Sequence, residues 1–178
     1  MIITGVKKVL LGEPGWEYHF DLTKTGFLHS FLAVILYIPL SFIIARAAVK
    51  YNDVLEHIPY SKITLVLLFI ALSFPLIAYI LVSIFDKQAT LCSWIIVRHW
   101  TILFALAVIA AGFSLYLIGL LPFSVAFFIG MSCYIGTLAI DVFLTRHVAN
   151  FDWIGAVFSG VLISATNIMI LLFSLNYL

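Results

Sequence analysis

Five long apolar runs limit what this chain can fold into more than any other feature. They cover residues 26–45, 63–85, 100–118, 120–141 and 153–178, and the third run can be extended back to Thr90. A helix needs about 20 mainly apolar residues to cross the hydrocarbon core of a bilayer. The runs lack the alternating polarity of barrel strands, and backbone groups cannot stay unpaired in lipid. Each run is therefore predicted to be a transmembrane helix.

The composition indicates that lipid, not water, surrounds most of the chain. Hydrophobic residues make up 65% and charged residues 10%, whereas a soluble domain carries about 25% charged residues. The fold class predicted is all-α, a polytopic membrane bundle of about five transmembrane helices. Residues 1–25 form an N-terminal interfacial segment, and residues 26–178 form the transmembrane domain. This composition makes the lipid bilayer a partner, and the formal net charge of +1 suggests no polyanion such as a nucleic acid.

The N-terminal segment divides into two patterns. Apolar residues recur at helical spacing in residues 2–10, and Gly12 and Pro14 follow, so a short interfacial helix is predicted. Residues 16–23 then alternate, with Trp16, Tyr18, Phe20 and Leu22 on one side. Period-two alternation predicts an extended segment with one apolar face along the membrane surface. We interpret it as a lead-in that seats the first helix, in preference to a strand that binds a partner.

The distribution of lysine and arginine predicts the orientation in the membrane. Five spans place the N-terminus and the second and fourth loops on one side. That side carries Lys7, Lys8, Lys24, Lys87, Arg98 and Arg146, and the other carries Arg46, Lys50 and Lys62. Because cytoplasmic loops are enriched in these residues, the N-terminus is predicted to be cytoplasmic and the C-terminus outside. In a bacterium the membrane would be the cytoplasmic (inner) membrane.

The third and fourth runs are joined by a very short turn, residues 119–122, which predicts an antiparallel hairpin. Counting outward from this turn places Asp141 opposite Trp100, with Arg98 and His99 within one helical turn. A carboxylate inside a span is costly unless it is paired. We therefore predict a polar clasp of Arg98, His99 and Asp141 at the cytoplasmic end. It is either a structural clasp or part of a proton or substrate relay.

Pro39 and Pro75 fall in the middle of the first and second runs. Each removes a backbone hydrogen bond and is predicted to kink its helix. Two neighbouring kinks could frame a cavity, as broken helices do in transporters. Alternatively, they are prolines that the membrane simply tolerates.

The fifth run carries a face of small and polar residues. Ala156, Gly160, Ser164 and Asn167 share one side of the predicted helix. Small residues let another backbone approach closely, and asparagine can bond across the contact. The face either packs inside the bundle or forms a homo-oligomer or partner interface. Asn167 could instead line a polar cavity. The fourth run has similar pairs, Ala126 with Gly130 and Ser132 with Gly136.

No enzyme or cofactor motif is evident in the chain. It has no hydrolase elbow, zinc-protease helix, phosphate-binding loop or dinucleotide fingerprint. His29 and His99 are a conceivable haem pair, but no second pair exists at the far side. Cys92 and Cys133 are isolated thiols. We expect no metal, no cofactor and no catalytic activity.

Several short stretches resemble the Yip1-like membrane proteins. They are Phe20-Asp21-Leu22-Thr23 leading to Gly26-Phe27 and Ser30-Phe31, then Pro39, and Arg98-His99-Trp100. The resemblance implies a cytoplasmic lead-in followed by five closely spaced helices. The Asp-Leu-Tyr-Gly-Pro signature of the eukaryotic branch is absent, so the resemblance implies a fold and transfers no functional residue.

Two functions are compatible with these features. The first is a non-enzymatic scaffolding or assembly subunit that acts through helix–helix contacts. The second is a small carrier or channel component, with the two proline-containing helices and Asn167 along the path. The scarcity of polar residues at the midplane favours the first.

Overall fold

The protein is an all-α helix bundle, as predicted. The structure, a computed structural model, describes residues 2–52 and 58–177. The α-helices are α1 (Ile2–Leu11), α2 (Lys24–Tyr51), α3 (Tyr60–Ile84), α4 (Leu91–Leu117), α5 (Phe123–His147) and α6 (Trp153–Tyr177). Single 3₁₀ turns lie at Glu17–His19 and Gln88–Thr90. The described residues contain no β-strand.

Helices α2 to α6 are long and apolar enough to cross a membrane, so the five predicted spans are confirmed. They are 25 to 28 residues long. At about 1.5 Å per residue they exceed the ~30 Å hydrocarbon core. The helices run past the apolar stretches that predict them. Arg46 and Lys50 therefore lie in the last turns of α2, whereas the topology count placed them in a loop.

Helix α4 lies at the centre of the bundle, between α2 and α5, and α6 packs against α5 and α3. Helix α1 lies against α4 and α5 through Val6 and Val9, which are buried. The largest buried side chains, among them Phe74, Trp94 and Phe151, form one core. Apolar residues dominate the outer faces of the long helices, as a lipid-facing surface requires.

The prediction of an extended segment after α1 is wrong. Residues Glu17–His19 form a 3₁₀ turn, Tyr18 is 87% exposed and Phe20 is buried. The physical reason is a close contact between Phe20 and α1. A Cβ atom added to Gly5 would lie 2.7 Å from the Phe20 ring. The missing side chain at Gly5 thus seats Phe20 on α1, and the turn separates it from Tyr18.

The start of α2 is fixed by Asp21, Thr23 and Gly26. The Thr23 amide and hydroxyl donate to the Asp21 carboxylate at 3.0 and 2.6 Å, and the Gly26 amide donates to the Thr23 hydroxyl at 3.3 Å. These bonds to Asp21 hold its pKa below the usual value. The stability that these bonds give the folded state is therefore lost only as the pH falls through the lowered pKa of Asp21. The Asp21 carbonyl approaches Gly26 so closely that no Cβ fits there.

The α4–α5 turn explains the predicted hairpin. Gly119 has φ +81°, the left-handed conformation that glycine adopts easily. The Leu120 amide donates to the Leu115 carbonyl at 2.9 Å, and the Gly119 amide to the Tyr116 carbonyl at 3.0 Å. This pair of bonds is a Schellman motif, which satisfies the last carbonyls of a helix. Pro122 then precedes the first turn of α5.

Pro39 and Pro75 both lie inside α-helices that continue on either side of the proline. Neither ends its helix. The kink at each position stays a prediction.

Candidate functional site: a buried polar cluster

Five polar side chains meet between α2, α4 and α5, in a region that is otherwise apolar. They are Ser30 and Tyr37 of α2, Arg98 and His99 of α4, and Asp141 of α5, and all are buried. We call this group the polar cluster. Because buried polar groups are costly without partners, the bonds among these residues decide whether the bundle can hold them.

Arg98 and Asp141 form a bidentate ion pair across the α4–α5 hairpin. The Arg98 Nε donates to Asp141 Oδ1 at 2.6 Å, and Arg98 Nη2 donates to Oδ2 at 3.0 Å. The guanidinium carbon lies 3.9 Å from the centre of the Phe74 ring, a cation–π contact with α3. Both carboxylate oxygens thus accept hydrogen bonds from a single partner. Arg98 lies well inside α4, and Asp141 lies inside α5, not at the helix ends as predicted.

His99, the third residue of the predicted clasp, bonds to α2 instead of Asp141. Its Nδ1 lies 2.9 Å from Ser30 Oγ, and Ser30 Oγ donates to the Phe27 carbonyl at 2.7 Å. Since the serine proton is already used, we assign the remaining proton to His99 Nδ1. His99 Nε2 then carries a lone pair, and it is buried without a hydrogen-bond partner among the described residues. The rings of Phe31 and Phe74 lie against the imidazole.

Ser30 and Tyr37 were missed by the sequence analysis. The Tyr37 hydroxyl donates to the His99 backbone carbonyl at 2.7 Å, which ties α2 to α4 a second time. A signal for this face exists in the sequence. Gly26, Ser30, Ala33 and Tyr37 are spaced four, three and four residues apart and are all buried. That spacing places them on one side of a helix, and three of the four are small.

The residues considered for haem or metal do not come together in the structure. His29 is exposed, whereas its neighbour Ser30 faces the polar cluster. Cys92 is exposed and Cys133 is half-buried. Within the described ranges, no three histidine, cysteine or acidic side chains are grouped so that they could hold a metal ion.

The small-residue face predicted on the fifth span packs partly inside this chain. Ala156 and Gly160 are buried, while Ser164 and Asn167 are half-buried. A Cβ on Gly160 would lie 2.5 Å from Val142 Cγ2 and 3.1 Å from the Val142 backbone nitrogen. The Ala156–Gly160 part of the face therefore serves contact with α5, and it is not free for a second molecule.

Comparisons with family models, with curated proteins and with solved structures find no significant match. The Yip1-like resemblance accordingly stays a prediction. Fold and composition together define the class: a multi-pass integral membrane protein, built as an all-α bundle with five helices that can span the bilayer.

Proposed function

We propose that the protein is a non-enzymatic scaffolding or assembly subunit that associates with another transmembrane helix through the outer face of α5. The observation that carries this proposal is the open space beside Gly136. The partner is a second copy or another membrane protein, and the experiment below distinguishes them. The mode of action is the one predicted from the sequence, but the proposed contact face lies on α5 instead of α6.

Gly136 differs from the other glycines inside the described spanning helices. A Cβ added to Gly26, Gly112, Gly130, Gly155 or Gly160 would contact a side chain of this chain, whereas one added to Gly136 meets nothing within 4 Å. Glycine inside a helix costs about 1 kcal/mol relative to alanine. The other five offset this cost through close packing within this chain. At Gly136 no contact among the described residues offsets this cost, and a helix from outside the chain would do so.

The surroundings of Gly136 suit a helix–helix contact. Ser132 lies one turn earlier on the same face and is exposed. Two small residues four positions apart let a second backbone approach closely and permit bonds across the contact. Phe128 and Ile135 are exposed nearby, at 72% and 65%. They supply apolar surface next to the notch that Ser132 and Gly136 form.

The polar cluster supports a structural role more than a relay or an enzyme. A general base needs a free lone pair directed at its substrate, but both Asp141 oxygens accept bonds from Arg98. His99 Nε2 has a free lone pair, yet it is buried and lines neither of the two cavities described below. The described cavities also do not support the alternative function, a small carrier or channel component. The two cavities that we describe lie at the other end of the bundle, and neither is lined by Pro39, Pro75 or Asn167.

The test replaces Gly136 with isoleucine, which fits the open space of this chain but would fill the notch. The matched control is Ala165→Ile, because Ala165 is an exposed small residue on α6. We expect the wild type to copurify in mild detergent with a stoichiometric partner or as a dimer. Gly136→Ile should lose that association while the isolated chain keeps or raises its melting temperature, since isoleucine is the better helix former, and Ala165→Ile should keep the association. A wild type that is monomeric in both detergent and bilayers, or a Gly136→Ile variant that associates normally, would contradict the proposal.

A further inference from the structure

A groove opens at the end of the bundle where α2 and α4 finish and α3 begins. One part is a cavity of about 1010 Å³ whose walls include Arg46, Lys50 and Tyr60. An adjoining cavity of about 560 Å³ shares Arg46 and Tyr60 and adds Phe42 and Ile43. We call the two together the headgroup groove. Its combined size is that of a ligand cleft, and it has a basic part followed by an apolar part.

The basic part presents two cations one helical turn apart. Arg46 and Lys50 are four residues apart on α2, so they share a face. The Lys50 ammonium donates to the Leu117 carbonyl at 2.9 Å and lies 5.1 Å from the centre of the Tyr116 ring. The Lys50 ammonium is thus held in place, and its other N–H groups can donate to a ligand. Arg46 is exposed and makes no hydrogen bond or ion pair with any residue that the structure describes.

The described residues that line the groove include no acidic side chain. The groove is therefore electropositive in the part that is described. Its natural occupant is an anion, and a guanidinium binds phosphate through two parallel hydrogen bonds.

The position of the groove indicates that this anion belongs to a lipid. Helix α2 is longer than the hydrocarbon core is thick, so its last turns lie at headgroup level. Tyr60 packs edge-on against Phe42, with ring centres 4.7 Å apart, and tyrosine favours this interfacial level. The apolar part, with Phe42 and Ile43, lies one turn closer to the membrane interior. A molecule with a phosphate and an acyl chain would match both parts.

We propose that the headgroup groove binds one anionic phospholipid. The Arg46 guanidinium and the Lys50 ammonium contact its phosphodiester, the Tyr60 hydroxyl donates to the headgroup, and an acyl chain lies over Phe42 and Ile43. The proposal is independent of the α5 contact, because the groove lies between α2, α3 and α4.

The test uses delipidated protein in detergent, titrated with dioleoyl phosphatidylglycerol and, in parallel, with dioleoyl phosphatidylcholine. Native mass spectrometry counts bound lipid, and thermal unfolding measures its effect. We expect one phosphatidylglycerol to bind and to raise the melting temperature. Arg46→Gln should weaken its binding about tenfold, as expected for the loss of a charge-assisted hydrogen bond. Lys50→Gln should also weaken it.

The control variant is Lys62→Gln, because Lys62 is exposed in the first turn of α3 and lines neither cavity. It should bind phosphatidylglycerol like the wild type. Three results would overturn the proposal: equal binding of phosphatidylcholine, wild-type affinity in Arg46→Gln, or equal stabilisation by inorganic phosphate. The melting temperatures of lipid-free variants show whether each one folds.

Discussion

At the scale of single residues, Arg98 and Asp141 stabilise each other inside a bundle that would exclude either one alone. The pair is bidentate and almost fully buried, with side-chain exposures of 7% and 2%. A charge left unpaired in such surroundings is far more costly than the pair. The pair therefore fixes the register of α4 against α5, even where its net contribution to stability is small.

Removing one member of this pair should destabilise the bundle strongly. In Asp141→Leu the Arg98 guanidinium stays buried without a counterion, and we expect a loss of about 3–5 kcal/mol in the free energy of unfolding. The double variant Arg98→Met with Asp141→Leu should recover most of that loss. Unfolding in mixed micelles measures both. A double variant as unstable as the single one would show that the residues do not act as a pair.

Two buried serines should respond oppositely to replacement by alanine. Ser159 is fully buried, and its hydroxyl has no hydrogen-bond partner in the described part of the chain. Ser159→Ala should leave stability unchanged or raise it by up to about 1 kcal/mol. Ser30→Ala removes the partner of His99 and should cost about 1–3 kcal/mol. The same unfolding measurement compares them, and a more damaging Ser159→Ala would contradict the assigned contacts.

The sequence predicts part of the polar cluster, and the reason lies in connectivity. Arg98 and Asp141 can be matched by counting because a short turn joins α4 to α5. Their position within the helices was missed, since the charged residues themselves marked the apparent ends of the apolar runs. The bonds of His99 to Ser30 and Tyr37 depend on how α2 rotates against α4. No short turn links these two helices, so their register cannot be counted.

At the scale of helices, glycine positions separate internal faces from free ones. Gly160 lies against Val142 of α5 and Gly130 against Phe113 of α4, whereas Gly136 has open space beside it. The sequence shows the same small residues on both helices but not which neighbour covers them. The sequence alone therefore permits two alternatives for the face on the fifth span, packing inside the bundle and association with another molecule. The proposed contact face lies on α5 because the structure leaves space beside Gly136 and fills the space beside Gly160.

Alanine at these two glycines should change stability in opposite directions. At Gly160 a methyl group would collide with the Val142 side chain and backbone, and overpacking of this kind costs about 1–3 kcal/mol. At Gly136 alanine meets no atom and should stabilise the isolated chain by about 0.5–1 kcal/mol through helix propensity. Thermal unfolding of the two variants in detergent tests this, and equal effects would argue against the α5–α6 contact.

The segment before α2 shows where period alone misleads. Alternation in residues 16–23 predicts an extended segment with one apolar face, but Phe20 turns onto Gly5 of α1 and Tyr18 points away. A tertiary contact thus overrides the local pattern. The five spans were predicted correctly because their signal is length and apolarity, which tertiary contacts do not alter.

At the scale of the whole molecule, five spans require the two ends of the chain to lie on opposite sides of the membrane. The structure refines the charge count behind the orientation. Arg98 is neutralised by Asp141 inside α4, so it no longer counts as a loop charge. The N-terminal side keeps Lys7, Lys8, Lys24, Lys87 and Arg146, and the opposite side keeps Arg46, Lys50 and Lys62. The remaining excess still favours a cytoplasmic N-terminus.

The location of the two ends tests the five-span bundle most directly. In bacterial cells, green fluorescent protein becomes fluorescent in the cytoplasm but not when it is exported in an unfolded form. Alkaline phosphatase, in contrast, is active only outside the cytoplasm. We predict fluorescence from a fusion at the N-terminus, together with phosphatase activity and no fluorescence from fusions at the C-terminus. Reporters that place both ends on the same side would require an even number of spans and would contradict the account.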